Sequence, residues 1–596
     1  MVLNEKNVLD ARLNAINLLM KHFKNNHFEG ELSESALATA LAVFTLGLFD
    51  YEKYISNIHK GIEWLIKNQN KDGGWGDTSI SMSNISTTLI CWAVLIYYGN
   101  KIKQASFSIK NAEKWIKSKI GEINQKNIIK SLLSIYGKDK TFSVPIMTML
   151  ALAVGDKYKI EWSLIPQLPF ELAVFPHKLY RYLKLNVVSY AVPALIAIGL
   201  VRHKKKPTKI ILMRIIRNMI ENKVLRKLEK LQPDTGGFLE AVPLTAFVLM
   251  SLKGSGIIKN PVVEKGLNFL NKSIRNNGGY PIDTDLKTWV TTLSINALNA
   301  SGRIGEYLDE SDRINILNWL LKQQNTSIHP FTNADPGGWG WTDLSGAVPD
   351  GDDTSGALIS LYNLGKYDQS VLESVKKGIM WLISIQNDDG GIPAFCKGWG
   401  KLPFDASCPD ITAHFIRAFV KWIDFFKNDI KIIINDSIKK AVKFLKKYQY
   451  DEGYWIPLWF GNEHAINKVN PVYGTSQVLI SLRECSELYY VNDLIVKGCK
   501  WLSNNQNDDG GWGGKKRTVS TIEETSLAVN ALSINKENFR NNINKGLNWL
   551  VKNTNNFTSI PPSPIGLYFA SLWYYERLYP VVFTVSALER LFLKIL

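Results

Sequence analysis

The chain has 596 residues, 45% apolar and 21% charged, which suits more than one large core and excludes a disordered or collagen-like polymer. Lysine and arginine outnumber aspartate and glutamate, 71 to 54, for a net charge of +17, so an anionic partner is expected, nucleic acid or a membrane surface. The five cysteines, Cys91, Cys396, Cys408, Cys485 and Cys499, form no Cys-x-x-Cys pair, which excludes a disulfide scaffold or zinc knot and suggests a reducing compartment.

The N-terminus, Met1 to Lys6, lacks a charged stretch followed by an apolar one, so no secretion signal is expected. A repeated phrase begins at Trp64-Leu65, continues to Gln69-Asn-Lys-Asp-Gly-Gly-Trp75, and recurs as far as Gln506-Asn-Asp-Asp-Gly-Gly-Trp512. Weaker copies end at Phe238, Ile392 and Trp455, each six positions after a glutamine. The copy ending at Tyr280 lacks the glutamine, and the one from Gln324 to Trp339 carries an insertion. Gln324, Gln386, Gln449 and Gln506 are 62, 63 and 57 residues apart, so the C-terminal half is the more regular. A helical stretch precedes each copy, and a Thr-x-x-apolar stretch such as Thr525 to Leu532 follows. One outer helix, a glycine turn and one inner helix per repeat is the natural reading. Such units stack as an open solenoid or close into an α/α barrel, so the fold is expected to be all-α.

The longest apolar run, Val187 to Val201, spans 15 residues and is broken by Ser189 and Pro193, short of the roughly 20 that cross a bilayer. Val201 to Lys230 holds eleven lysines or arginines against Glu221 and Glu229, a net of +9 in 30 residues. Leu212, Ile215, Ile216 and Met219 fall there at helical spacing beside Lys209, Arg214 and Arg217. A basic amphipathic helix of this kind suits an anionic membrane surface. No nucleic-acid module accompanies the patch, so nucleic acid is not the expected partner.

Chemistry concentrates at Gly337 to Ser355, where Asp350, Asp352 and Asp353 precede Thr354 at a predicted helix start. One aspartate would serve as an N-cap. Three crowded carboxylates repel, so at least one is expected to hold a proton near neutral pH. A carboxylic acid kept protonated in an aromatic pocket can protonate a base as weak as an alkene. In Cys408-Pro-Asp410-Ile-Thr-Ala-His414, Asp410 and His414 share a helix face. A cationic His414 beside the aspartates would strengthen the acid.

The glutamine–tryptophan repeats, the Asp350–Thr354 box and the Pro409–His414 box resemble squalene–hopene cyclase and other class II terpene cyclases, over nearly the whole chain. The resemblance implies two α/α barrels: residues 28–287 as an inserted barrel carrying the membrane helix, and 288–596 as the catalytic barrel, with 1–27 packed on it. It makes Asp352 the proton donor, Asp350 and Asp353 its charged neighbours, and His414 the group that polarises it. Trp289, Trp341, Trp459, Tyr568 and Tyr575 match aromatic positions that stabilise carbocations. Tyr473 matches a tyrosine that helps restore the proton through water. Valine at 290, Trp341 where phenylalanine is common, an apparent insertion at 462–469 and a loose match near Tyr182 are departures that reshape the cavity.

The expected reaction is protonation of a linear polyprene, squalene first, leading to a polycyclic triterpene of hopene type. No metal or redox cofactor is implied, and Mg²⁺ enters only if the substrate carries a diphosphate. The expected partners are a polyprene lipid and an anionic membrane on its cytoplasmic face, with a homodimer compatible. The alternatives are a class II cyclase of a shorter prenyl diphosphate, a zinc-dependent protein prenyltransferase β subunit, and a peptide-binding α-repeat scaffold. The last leaves the Asp350–Asp353 crowding unexplained.

Overall fold

Each repeat turn is closed by the residues that mark it in the sequence. In the computed structural model, which describes residues 5–99, 101–137, 140–158, 160–175, 192–395, 405–485, 489–567 and 572–592, Gly510 has φ +93° and Gly390 φ +91°. That left-handed backbone strains any residue with a Cβ. The Gln506 side-chain amide donates to Gly510 O at 2.8 Å and to Asn542 O of the next outer helix at 2.9 Å. Gln386 does the same with Gly390 O and Ser437 O. Trp512 Nε1 donates to Leu502 O, and its backbone N–H donates to the Thr525 hydroxyl. Trp75 with Thr88, Trp339 with Thr354 and Trp455 with Thr475 repeat the bond. The threonine after each turn therefore satisfies a buried N–H that would otherwise be orphaned.

Among the described residues, helices Lys287–Leu298, Gly351–Gly365, Pro409–Trp422, Pro471–Leu482, Ile522–Leu532 and Leu578–Phe592 contact one another in sequence, and the last returns to the first. Helix Glu5–Met20 packs outside this ring, against Leu578–Phe592. A second ring closes through Ala36–Asp50, Ile85–Tyr98, Lys140–Tyr158, Val192–Lys205 and Val242–Gly254. The inner helices are buried on nearly every side, whereas outer helices such as Asn492–Asn504 bury one stripe, as a two-layered barrel requires. The protein is an all-α double α/α barrel with a few short strands.

One apolar core joins residues 11–28 with 289–591, and another spans 36–280 with Phe331. Arg12 ties the N-terminal helix to the first core through Glu589 and Tyr307. Among the described residues, no helix is long and apolar enough to cross a membrane. Cys91, Cys408, Cys485 and Cys499 are free and buried. Cys396, Tyr182 and Tyr568 lie outside the described residues.

Candidate active site

A cavity of about 390 Å³ lies between the barrels, with walls drawn from both. The C-terminal barrel contributes Asp350, Asp352 and Asp353 at the start of helix Gly351–Gly365. Asp350 is that helix's N-cap, accepting the N–H groups of Asp352 at 2.9 Å and Asp353 at 2.8 Å. The capping role expected of one aspartate thus falls to Asp350, leaving two further carboxyls in the first turn.

Their environments differ. Asp353 is buried, and desolvation followed by repulsion from Asp350 pushes its pKa far up, so it holds a proton. Asp350 is also raised, by burial first, while its hydrogen bond with Asp353 favours its charged form. Of the two expected charged neighbours, Asp353 is the one whose charged form burial disfavours more. Its carboxyl stays neutral because a second buried charge beside Asp350 has no countercharge.

Asp352 keeps more contact with the cavity, its side chain being 22% exposed, and its Oδ1 lies 2.7 Å from His414 Nδ1. His414 and Asp410 share one face of helix Pro409–Trp422, which starts on Pro409. Gly356 makes room for the pair: a Cβ there would lie 2.9 Å from Thr292 Oγ1, 3.4 Å from the Trp289 ring and 3.5 Å from His414 Cε1. Burial, then repulsion from Asp352, pushes the Asp410 pKa up to about 7 against the Cys408 thiol, which donates to Asp410 at 2.7 Å. Asp352, Asp410, His414 and Tyr473 also line a second pocket of about 70 Å³ behind the acid, with Gln477 and Asn530.

Trp289, Trp341 and Trp459 all line the main cavity. Trp341 and Trp459 each meet Phe395 edge-on, at 6.1 Å and 5.2 Å between centroids. Tyr575 does not line it. Strand Leu572–Tyr574 pairs with Ile565–Leu567, and its alternation points Leu572 and Tyr574 inward. Tyr575 continues past the strand towards Ser79 and Arg577. Tyr574 and Tyr579, hydroxyls 3.3 Å apart, stand in the wall where Tyr575 was expected. Sequence reasoning also missed Phe395, Phe460, Asp283 and Gly356, since an isolated residue on a turn or inner helix has no spacing to mark it.

The chain matches the squalene–hopene cyclase N-terminal domain over residues 13–232 and the C-terminal domain over residues 286–590. It belongs to the squalene–hopene cyclase family of class II terpene cyclases. It is 27% identical over 289 residues to a squalene–hopene cyclase of Zymomonas mobilis, covering 44% of this chain and 42% of that protein. A squalene hopane cyclase of Aspergillus fumigatus is 23% identical over 610 residues, covering 84% of this chain and 77% of that one. Several of the curated relatives are thus matched over less than half their length. An ent-copalyl diphosphate synthase from Streptomyces platensis superposes with a TM-score of 0.60 at 14% identity, covering 99% and 100% of the two chains, and shares the fold.

Proposed function

We propose that the protein cyclises a neutral linear polyprene, squalene first, to a polycyclic triterpene of hopene type. The observation that carries this reading is Asp352, bonded to His414 at 2.7 Å in the wall of an aromatic cavity. With Oδ1 engaged by His414, the proton sits on Oδ2. It passes to a terminal double bond, whose π electrons form the new C–H bond and leave a tertiary cation. Ring closures follow beside Trp289, Trp341, Trp459 and Phe395, whose faces attract the moving charge. Tyr473 lines the pocket behind the acid with Asp352, Asp410 and His414, where water could return the proton.

The lining supports a neutral substrate over the alternative, a prenyl diphosphate. It contains Asp77, Asp283, Asp350, Asp352 and Asp353 and, among the described residues, no lysine or arginine. A diphosphate would find no cationic partner there. The membrane reading rests on helix Ile211–Leu231, where Ile211, Leu212, Ile215 and Met219 are exposed near Lys209 and Arg214. Arg217 departs from the expected basic face, being buried and paired with Glu171 at 2.8 Å. The helix would lie in an anionic leaflet, the cytoplasmic one, and admit substrate from it.

Detergent-solubilised protein incubated separately with squalene and with geranylgeranyl diphosphate tests the reading by product analysis. Cyclic triterpene from squalene is the expected result. Cyclic product from the diphosphate alone would replace squalene with the shorter substrate.

A further inference from the structure

A second carboxyl in the cavity wall is not used by the protonation step. Asp283 lies between strand Tyr280–Pro281 and helix Lys287–Leu298, is half-buried and lines the same cavity as Asp352. A β-bridge pairs it with Ala241, and Thr284 N–H lies 3.2 Å from Glu240 O and 2.7 Å from Asp283 Oδ1. This register places Glu240 beside Asp283. Glu240 has no accessible surface; its Oε1 accepts from the Thr235 hydroxyl at 2.7 Å and Gly346 N–H at 2.8 Å, and its Oε2 has no hydrogen-bond partner.

The backbone is bent to make this arrangement. Leu239 and Glu240 have φ of +56° and +55°, a left-handed conformation unfavourable for both side chains. The kink presents Leu239 to the cavity. Burial pushes both carboxyls up, and repulsion from Glu240 adds to the shift at Asp283. Asp285 and Asp343 also act on Glu240, and Lys287 bridges them at 3.3 and 3.7 Å nearer the surface.

We propose that Asp283 is the base that ends cyclisation in this protein, with Glu240 the positioning residue behind it. The inference rests on the cyclase reading above. With Glu240 protonated, a cation arriving in the cavity favours the carboxylate form of Asp283. The Asp283 carboxylate then takes a proton from the carbon next to the cationic centre. That C–H electron pair becomes the π bond of an alkene, and Asp283 is left protonated. The proton lost by Asp352 is matched by the one gained at Asp283, so the reaction is an isomerisation with no co-reactant. The position of Asp283 relative to Asp352 then sets where the cascade stops and where the double bond lies.

Two measurements test this. With squalene, Asp283→Asn should lower turnover and replace the wild-type alkene with alcohols or displaced alkenes. In a tryptophan-fluorescence titration with N,N-dimethyldodecylammonium, a cation with one apolar chain, Asp283→Asn should weaken binding about tenfold. An unchanged product pattern, or affinity within about twofold of wild type, overturns the proposal. Should wild-type protein convert no squalene, the substrate reading fails, and the ammonium titration still decides the Asp283 site. If Asp283→Asn does not fold, Glu240→Gln is read instead: a changed alkene ratio and a shifted pH profile are expected, and neither changing overturns the proposal.

Discussion

The two barrels share one turn design and put it to different uses. In the C-terminal barrel the glutamine turns recur at near-constant spacing, and each sets the next inner helix through a threonine hydroxyl. Asp350, Asp352, Asp353, Asp410 and His414 all sit at the cap or within the first two turns of two neighbouring inner helices. In the N-terminal barrel, glutamine turns at 69–75 and 232–238 are separated by helices without the motif. That barrel supplies apolar wall, including Pro145, Ile146, Leu244 and Phe247, and the exposed helix Ile211–Leu231. Regular repetition brings titratable groups to matching helix starts, whereas irregular repetition leaves room to shape a cavity and an outer surface.

The largest effect expected in the C-terminal barrel follows from Asp352→Asn, which removes the proton and leaves the packing intact. Cyclisation of squalene should fall by roughly 10²–10⁴-fold or more, with an unchanged melting curve; residual turnover near wild type would move the acid elsewhere. Gly356→Ala comes next, because the new Cβ meets Thr292, Trp289 and His414. It should cost about 1–3 kcal/mol of stability and depress turnover sharply, read as a drop in kcat exceeding the loss of fold. Equal substitution at Gly254, where a Cβ would meet Leu152 and Val201, should cost stability without selectively lowering kcat.

Both barrels bury carboxyls that couple stability to pH, Glu240 in one and Asp410 in the other. Burial raises Asp410, Glu463 and Glu576 to about 7 and Glu523 to about 8. A carboxyl whose folded pKa lies above its unfolded value binds its proton more tightly when folded. Its contribution is fully present below the unfolded pKa and is lost as pH rises through the folded one. Thermal stability should therefore fall between about pH 4 and 8, and Asp410→Asn should flatten part of that slope. A melting temperature that rises steadily across this range would contradict the burial of these groups in neutral form.

Much of this was legible because repeats and boxes are patterns. The spacing of Gln386, Gln449 and Gln506 announced outer helix, turn and inner helix, and the residues after Pro409 announced one helix face. Three aspartates in four positions marked the acid, but could not say that Asp353 would be the more deeply buried, since depth depends on the neighbouring helix. Tyr575 was misplaced because strand alternation beside the cavity decides between adjacent tyrosines, and that register comes from pairing with Ile565–Leu567. Asp283 and Glu240 left no mark, since a β-bridge between residues about 40 apart brings them together. Arg217 sits at the spacing of a basic face, yet Glu171, distant in sequence, draws it inward.

A smaller contrast separates the turns themselves. Thr354→Val leaves the buried Trp339 N–H unpaired, which should cost about 1–3 kcal/mol and displace the helix start that carries Asp350. Thr245→Val removes the matching bond to Phe238 N and should cost a similar amount of stability with less loss of turnover, because that turn does not carry the proton donor. Denaturant unfolding beside squalene assays distinguishes the two, and equal loss of turnover would deny the division of labour.

The smallest effect on fold should come from the outer surface of the N-terminal barrel. Leu212 and Met219 are 66% and 76% exposed, so Leu212→Glu with Met219→Glu removes little internal packing. Each apolar side chain buried in a bilayer contributes about 1.5–3 kcal/mol, and each nearby basic residue about 1 kcal/mol at an anionic surface. Losing both and adding two negative charges should lower binding to phosphatidylserine vesicles by at least about 10²-fold. Turnover of detergent-dispersed squalene should stay within about twofold, because the detergent delivers what the helix otherwise collects. Vesicle binding at the wild-type level would leave this helix a solvated basic face and require another entrance. A matching loss in detergent would show instead that the N-terminal barrel positions the acid, which the separation of the two cores argues against.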